Sequence, residues 1–194
     1  SKYYLGLVQK VKAKINSVFW NGRYYSDWRD SKRHDYFSTD GNLLAILYRV
    51  ADRKQALSIE RCMEDFGINK PVPSKTNYPS YPFNKISFYE HLALISDYHN
   101  GMSWLWLGCL DVVCKSMLGQ KKEANLLLQR ISEIIVRNKG VFEVYEQTGR
   151  PVRRLIYHSE RPFAWSSGLF LYALSKVQPS LLRTQAVKQE KSVQ

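Results

Sequence analysis

Residues 102–137 read MSWLWLGCLDVVCKSMLGQKKEANLLLQRISEIIVR, and this stretch decides the fold. Its apolar residues predict one helix from about Met102 to Leu118 and a second from Lys121 to Arg137. Only a short connection separates the two. Two helices joined in this way form an antiparallel hairpin, so a stack of such hairpins is the expected architecture.

The flanking segments predict further helices. The first has an apolar stripe at three- and four-residue spacing, formed by Leu5, Val8, Val11 and Ile15. Either Thr39 or Asp40 can cap the second helix, and Asp52 can cap the third, which Gly67 then ends. In total the sequence predicts about six helices, near residues 2–18, 40–50, 52–67, 102–118, 121–137 and 162–177.

The connections alternate between short and long, with long loops at residues 68–98 and 139–161. Asn21-Gly22 predicts a turn flanked by extended pieces. Strands and helices do not alternate, so the predicted fold class is all-α, built from antiparallel helical hairpins. We expect one domain over residues 1–178, followed by a polar, flexible tail over residues 179–194.

The charge of the chain and its cysteine content indicate which partners and which cellular compartment to expect. The 194-residue chain carries a net charge of +12, but its basic residues are scattered over several segments. Scattered charges are typical of solvated helix faces, so we expect no nucleic-acid partner, although a basic helical adaptor is the alternative. No apolar run is long enough for a membrane span. Three cysteines without a C-x-x-C pair favour buried thiols, a reducing compartment and a cytoplasmic location.

Four clusters combine aromatic and polar residues at helix ends or in loops: residues 36–42, 97–104, 141–149 and 163–168. A sugar presents hydroxyls at its edge and apolar C–H faces, so its binding site needs both residue types. Each cluster also has a simpler explanation. The alternative for Asp40 is a helix cap with no further role. The alternative for Trp104 and Trp165 is packing in the core, and that for Glu143 and Glu146 is a solvated loop with two surface acids.

Motifs for other chemistries are absent. The chain contains no G-x-x-x-x-G-K-[ST], G-x-G-x-x-G, H-E-x-x-H or G-x-S-x-G segment. His34, His91 and His158 have no partner at metal-ligand spacing, so we expect no metal site and no organic cofactor.

The four clusters, taken in order, resemble a known group of enzymes. The run Phe37–Leu47 resembles the G-N-L-x-A-I-L segment of alkaline/neutral invertases and of related (α/α) barrel glycosidases of the amylo-α-1,6-glucosidase type. Residues 98–104 resemble their Y-H-N-G-G-S-W segment, with Met102 in place of the second glycine. Residues 142–146 resemble P-E-Y-Y-D, and residues 164–168 resemble T-W-S-I-A-G. The resemblance covers residues 16–174.

This resemblance implies that the chain forms part of an (α/α)6 toroid, since six helices are half of the expected twelve. It implies that Glu143 is the general base of an inverting hydrolysis of an α-glucosidic or related bond. The predicted substrate-binding residues are Asp40, Tyr98, His99, Asn100, Trp104 and Trp165.

The family's general acid lies in the N-terminal half of the barrel, which has no counterpart in this sequence. We therefore expect the isolated chain to be inactive as a hydrolase. A half barrel exposes an apolar helix face, so we expect self-association or pairing with a missing N-terminal half. The alternative is a non-catalytic carbohydrate-binding or interaction module derived from the same fold.

Overall fold

The computed structural model describes residues 2–180, so most of the predicted tail lies outside the described residues. Three strands and a 3-10 turn accompany the helices. In chain order the elements are α1 (Lys2–Phe19), β1 (Ser26–Arg29), β2 (Arg33–Ser38), α2 (Thr39–Leu47), α3 (Arg53–Asp65), β3 (Asn77–Tyr78), a 3-10 turn (Phe83–Lys85), α4 (Phe88–Leu92), α5 (Leu105–Leu118), α6 (Lys121–Asn138) and α7 (Ala164–Val177).

Helix α5 forms the centre of the molecule. It packs against α2, α3, α6 and α7, and it is apolar and buried on nearly every side. A helix that is apolar all round is stable only inside a core, which explains its central place. Gly119 ends it with φ of 84°, in the left-handed region that favours glycine, and the chain then reverses into α6. The hairpin predicted from residues 102–137 is confirmed.

Most of the predicted helices are present, with ends that shift by a few residues. Asp52 caps α3 in a capping box with Gln55, as predicted. Helix α2, in contrast, begins one residue earlier than predicted, because Ser38 occupies its N-cap position. The predicted cap Thr39 instead donates its hydroxyl to the carbonyl of Lys75 at 2.6 Å. The predicted loop at residues 68–98 contains the additional short helix α4 and strand β3.

A small antiparallel sheet accompanies the helices, in the order β1-β2-β3. Its hairpin was not predicted, because charged side chains interrupt the apolar alternation that indicates a strand. Aromatic packing stabilises the hairpin instead: Trp28 stacks on His34 at 4.4 Å and on Tyr36 at 5.4 Å between ring centroids. The mainly helical fold class is confirmed, with this sheet as an addition.

The surface of α1 differs from that of the other long helices. None of its residues is buried, and the predicted stripe is exposed at Leu5, Val8 and Val11. No helix within residues 2–180 is both long enough and apolar enough to cross a membrane. The three cysteines are buried free thiols, as predicted.

Three charged side chains are buried where α3 meets α5. Lys115 pairs with Glu60, and its Nζ also lies 3.3 Å from Oδ1 of Asp111. Asn69 donates a 2.5 Å hydrogen bond to the other oxygen of Asp111. One lysine faces two carboxyl groups, and burial together with the Asp111 charge raises the pKa of Glu60 to about 8.

This cluster predicts a stability that falls with rising pH. In the unfolded chain the pKa of glutamate is about 4.3, so Glu60 stabilises the fold fully only below that pH. Its contribution is lost as the pH rises through about 8. Urea unfolding of the wild type at a series of pH values is the measurement. Glu60→Gln keeps the shape but cannot titrate, so we expect a flatter profile. Equal slopes for the two proteins would contradict the prediction.

Candidate functional site

A cavity of about 460 Å³ lies where the sheet approaches the first turns of α5 and α7. We call it the acidic cavity, and it is lined by Asp27, Ser38, Asp40, Thr76, Tyr81, His99, Trp104, Trp106, Leu107, Glu143, Phe163 and Trp165. All four sequence clusters contribute to this wall, although they are far apart along the chain. A second hollow of about 350 Å³ shares Asp27 and Ser38 but has mainly apolar walls.

Backbone pairing brings the two longest loops to this cavity. The N–H of Ser103 donates to the carbonyl of Tyr145 at 3.0 Å, and the N–H of Tyr145 donates back at 2.8 Å. Trp104 donates its backbone N–H to the carbonyl of Ser74 at 3.0 Å. The segments around Ser74, Ser103 and Tyr145 therefore meet immediately before α5 begins.

Glu143 is positioned by its buried neighbours. Val144 and Tyr145 are inaccessible to solvent, and the backbone N–H of Phe142 donates to the Tyr145 hydroxyl at 2.8 Å. The N–H of Glu143 itself donates to the carbonyl of Glu160 at 3.0 Å. The loop backbone is thus held on both sides of Glu143, while the Glu143 side chain lines the cavity.

Two tyrosine hydroxyls orient the Glu143 carboxylate. Tyr98 donates to one of its oxygens, and Tyr157 donates to the other at 2.5 Å. Burial is the largest reason that the pKa of each phenol is raised, and the charge of Glu143 adds to the effect. Both tyrosines therefore stay protonated as donors. A carboxylate has about four lone-pair sites, so two remain for a ligand or a water molecule.

The second acid of the same loop has a different role. Glu146 does not line the cavity but forms an ion pair with Arg154. Arg154 also contacts Asp97 at 3.0 Å. Residue type and spacing did not distinguish Glu143 from Glu146, and only the resemblance selected Glu143. The structure separates the two into a cavity residue and an ion-pair residue.

Aromatic side chains form much of the wall. Trp104 is 6% exposed, and its indole N–H donates to the carbonyl of Tyr98 at 3.0 Å. The ring of His99 stacks on Trp104, with 5.2 Å between centroids. Trp165 is 61% exposed and lies 5.2 Å from Trp106, so these two rings form an open, solvent-facing part of the wall. The predicted binding residues His99, Trp104 and Trp165 are thus brought together.

Asn100 has a supporting place behind the cavity wall. Its side-chain oxygen accepts hydrogen bonds from the backbone N–H of Tyr81 at 2.6 Å and from the amide of Asn77 at 3.0 Å. Its own amide donates to the carbonyl of Tyr81 at 3.2 Å.

The predicted residue Asp40 lines the cavity, as does Glu143, whereas Tyr98 reaches it only through its contact with Glu143.

Asp27 and Tyr81 are among the lining residues that lie outside the four sequence clusters. Asp27 belongs to the unpredicted hairpin, and Tyr81 belongs to the predicted long loop at residues 68–98. The Tyr81 hydroxyl donates to Oδ2 of Asp27 at 2.6 Å. Burial raises the pKa of Asp27, and the nearby Asp40 charge adds to this effect. No sequence pattern connects two residues so far apart.

The lining is acidic in a chain of net charge +12. Asp27, Asp40 and Glu143 all contribute carboxyl groups, and the lining includes no lysine or arginine. Within the described part of the chain, no group of three or more histidine, cysteine, aspartate or glutamate side chains is arranged to hold a metal ion. The cavity can therefore accept hydrogen bonds from a polyol while its tryptophans contact apolar C–H faces.

Comparison with known proteins identifies the fold. No protein-family model and no curated protein matches this sequence. Two similar solved structures are of the GH63 mannosylglycerate hydrolase from Thermus thermophilus. The complex with Tris has a TM-score of 0.62 and 15% identity, covering 83% of this chain and 36% of that chain. The complex with glucose has a TM-score of 0.61 and 16% identity, covering 83% and 38%.

The fold of the chain is thus that of part of an (α/α)6 toroid, and the chain spans little more than a third of those chains. The predicted fold class is confirmed. The narrower resemblance to invertases and debranching glucosidases stays a prediction.

The contacts of Asn100 predict a structural effect of its replacement. Asn100→Ala leaves the N–H of Tyr81 and the amide of Asn77 without this acceptor, which costs about 1–3 kcal/mol where such groups are buried. Urea unfolding measures the loss. Gln129→Ala, which removes an exposed amide on α6, is the control. An unchanged unfolding free energy for Asn100→Ala would show that its hydrogen bonds do not support the wall.

Proposed function

We propose that this chain is the C-terminal part of the catalytic domain of a glycoside hydrolase that acts on an α-glucosidic or related bond. Glu143 is its general base. The observation that carries the proposal is the position of Glu143, whose carboxylate lines an aromatic-walled cavity and is oriented by two tyrosine hydroxyls.

The chemistry required of Glu143 suits this position. In an inverting hydrolysis, the base takes a proton from a water molecule while that water attacks the anomeric carbon from one face. The glycosidic C–O bond breaks on the other face, and a separate acid protonates the leaving oxygen. Tyr98 and Tyr157 fix the Glu143 carboxylate and leave lone pairs for the water. The proton donor for the leaving oxygen comes, in this proposal, from a segment outside this chain.

The substrate class is supported by the wall and by the fold. Trp104 and Trp165 offer faces for the apolar side of a pyranose, while Asp27 and Asp40 accept hydrogen bonds from its hydroxyls. Proteins with a similar fold include a mannosylglycerate hydrolase whose structure was solved with glucose. Asp40, His99, Trp104 and Trp165 are the proposed substrate-binding residues, with Tyr98 and Asn100 supporting them.

A second candidate function is that of a module that binds a carbohydrate without hydrolysing it. Both oxygens of Glu143 already accept tyrosine hydroxyls, which favours a module that binds a carbohydrate without hydrolysing it. The two functions share the cavity and differ in whether Glu143 activates water.

α-Glucosyl fluoride separates them, because fluoride leaves without protonation by a general acid. We expect slow release of fluoride with β-glucose as the first product, while the chain alone leaves sucrose and maltose intact. Glu143→Gln should lower the rate by about 10²–10⁴-fold, the usual contribution of a general base. A fluoride electrode and NMR of the anomeric proton are the measurements.

Glu146→Gln is the matched control, since Glu146 lies in the same loop but outside the cavity lining. It should release fluoride at the wild-type rate. Glucose binding without fluoride release would favour the binding module. Fluoride release that is unchanged in Glu143→Gln would exclude Glu143 as the base, and a chain that binds none of these sugars would exclude both functions.

We also propose that the exposed stripe on α1 pairs with another helical segment or with a second copy of the chain. Leu5, Val8 and Val11 are each about half exposed or more, and apolar surface of this kind favours association. We expect the mass from sedimentation equilibrium to rise with concentration. Val8→Glu should reduce this rise, whereas Lys10→Glu on the same helix changes charge without touching the stripe. A monomer at all concentrations would contradict self-association.

A further inference from the structure

The lining residue Asp27 has no part in the water activation assigned to Glu143. It lies on β1, is about half buried, and accepts the Tyr81 hydroxyl at 2.6 Å on one of its oxygens. The Ser38 hydroxyl donates to Asp40 and not to Asp27. A carboxylate with about four lone-pair sites therefore keeps acceptor capacity toward the cavity.

Tyr81 holds Asp27 from a rigid position. Its backbone forms two hydrogen bonds with the Asn100 side chain, at 2.6 and 3.2 Å. Its ring lies 4.9 Å from that of Tyr36 and 5.8 Å from that of Trp28. The series Asn100, Tyr81, Asp27 thus extends from a partly buried loop to the surface of the cavity. A carboxylate supported in this way recognises a ligand group at little cost in side-chain entropy.

The carboxyl groups that line the cavity with Asp27 are not balanced by a lysine or arginine in the lining. Asp40 on α2 lies close enough to raise its pKa, and Glu143 contributes a third carboxyl group to the same lining. None of these three acids forms an ion pair with a lysine or arginine among residues 2–180. Lys85 lies over the outer ring of Trp28 at 5.9 Å and does not line the cavity. Such a lining attracts cations and repels anions.

We infer that Asp27 is a specificity-determining residue of the acidic cavity. It accepts hydrogen bonds from a neutral or amine-bearing sugar and, with Asp40, excludes sugars that carry a carboxylate or phosphate. Tyr81 is its positioning residue. The inference rests on the proposed function and adds the charge class of the substrate to it.

The experiment compares three pyranoses on the whole chain by isothermal titration: glucosamine at a pH where its amine is protonated, neutral glucose, and anionic glucuronate. Affinity should fall in that order. Glucosamine should bind roughly fivefold more tightly than glucose, because a charge-assisted hydrogen bond is stronger than a neutral one by about 1 kcal/mol. Asp27→Asn should bring the glucosamine-to-glucose ratio close to one and improve glucuronate binding. Tyr81→Phe should reduce the ratio in part.

A pH series provides a readout that a purely structural role would not change. The raised pKa of Asp27 means that it takes up a proton at a higher pH than an ordinary aspartate. The glucosamine-to-glucose ratio of the wild type should therefore fall as the pH is lowered, and that of Asp27→Asn should change less. The other titratable groups that line the cavity with Asp27 are Asp40, Glu143, His99 and Tyr81.

Asp30→Asn is the control, since it removes an exposed acid from the same hairpin outside the cavity, and it should leave all three affinities unchanged. Circular dichroism checks that each variant is folded. If Asp27→Asn does not fold, Tyr81→Phe is the variant that decides the test. Glucose binding with a ratio that neither variant changes would overturn the role of Asp27 and leave the proposed function standing. A folded wild type that binds none of the three sugars would overturn both.

Discussion

Two backbone hydrogen bonds between Ser103 and Tyr145 are the interaction on which the site depends. They join the segment before α5 to the loop before α7, and Ser74 extends the connection through Trp104. Helix α5 is buried on nearly every side, so the segment that leads into it has little freedom. A pairing fixed to that segment therefore places Glu143 and Trp104 in the wall of one cavity, even though long loops carry both.

Two groups of acids in this molecule are stabilised by different neighbours. At the α3–α5 junction, Lys115 compensates Glu60 and Asp111, and burial keeps one proton on the pair. In the acidic cavity, hydroxyl donors stabilise the carboxyl groups instead: Tyr98 and Tyr157 for Glu143, and Tyr81 for Asp27. Neutral donors leave the negative charge uncompensated. The first arrangement supports the fold, whereas the second gives the cavity its charge and its acceptor character.

The hairpin β1–β2 shows why part of the site could not be predicted. Strands this short are stabilised by cross-strand rings such as Trp28 and His34 and by the elements around them, not by an alternation along the chain. Asp27 therefore belonged to no predicted element. Asn100 shows a second limit: its substrate contact stays a prediction of the resemblance, while no local pattern indicated its hydrogen bonds with Tyr81 and Asn77.

The sequence by itself determined the helical hairpin at residues 102–137, the cap at Asp52 and the four polar and aromatic clusters. These are local properties, set by periodicity and side-chain type within a few residues. The resemblance selected Glu143, but only the tertiary structure gave the physical reason that Glu143, rather than Glu146, lines the cavity, because this depends on which neighbours are buried and where Arg154 lies. It also decided that Asp27 shares the cavity with Glu143. Residues far apart in the chain meet only when the core has formed, so no local pattern carries that information.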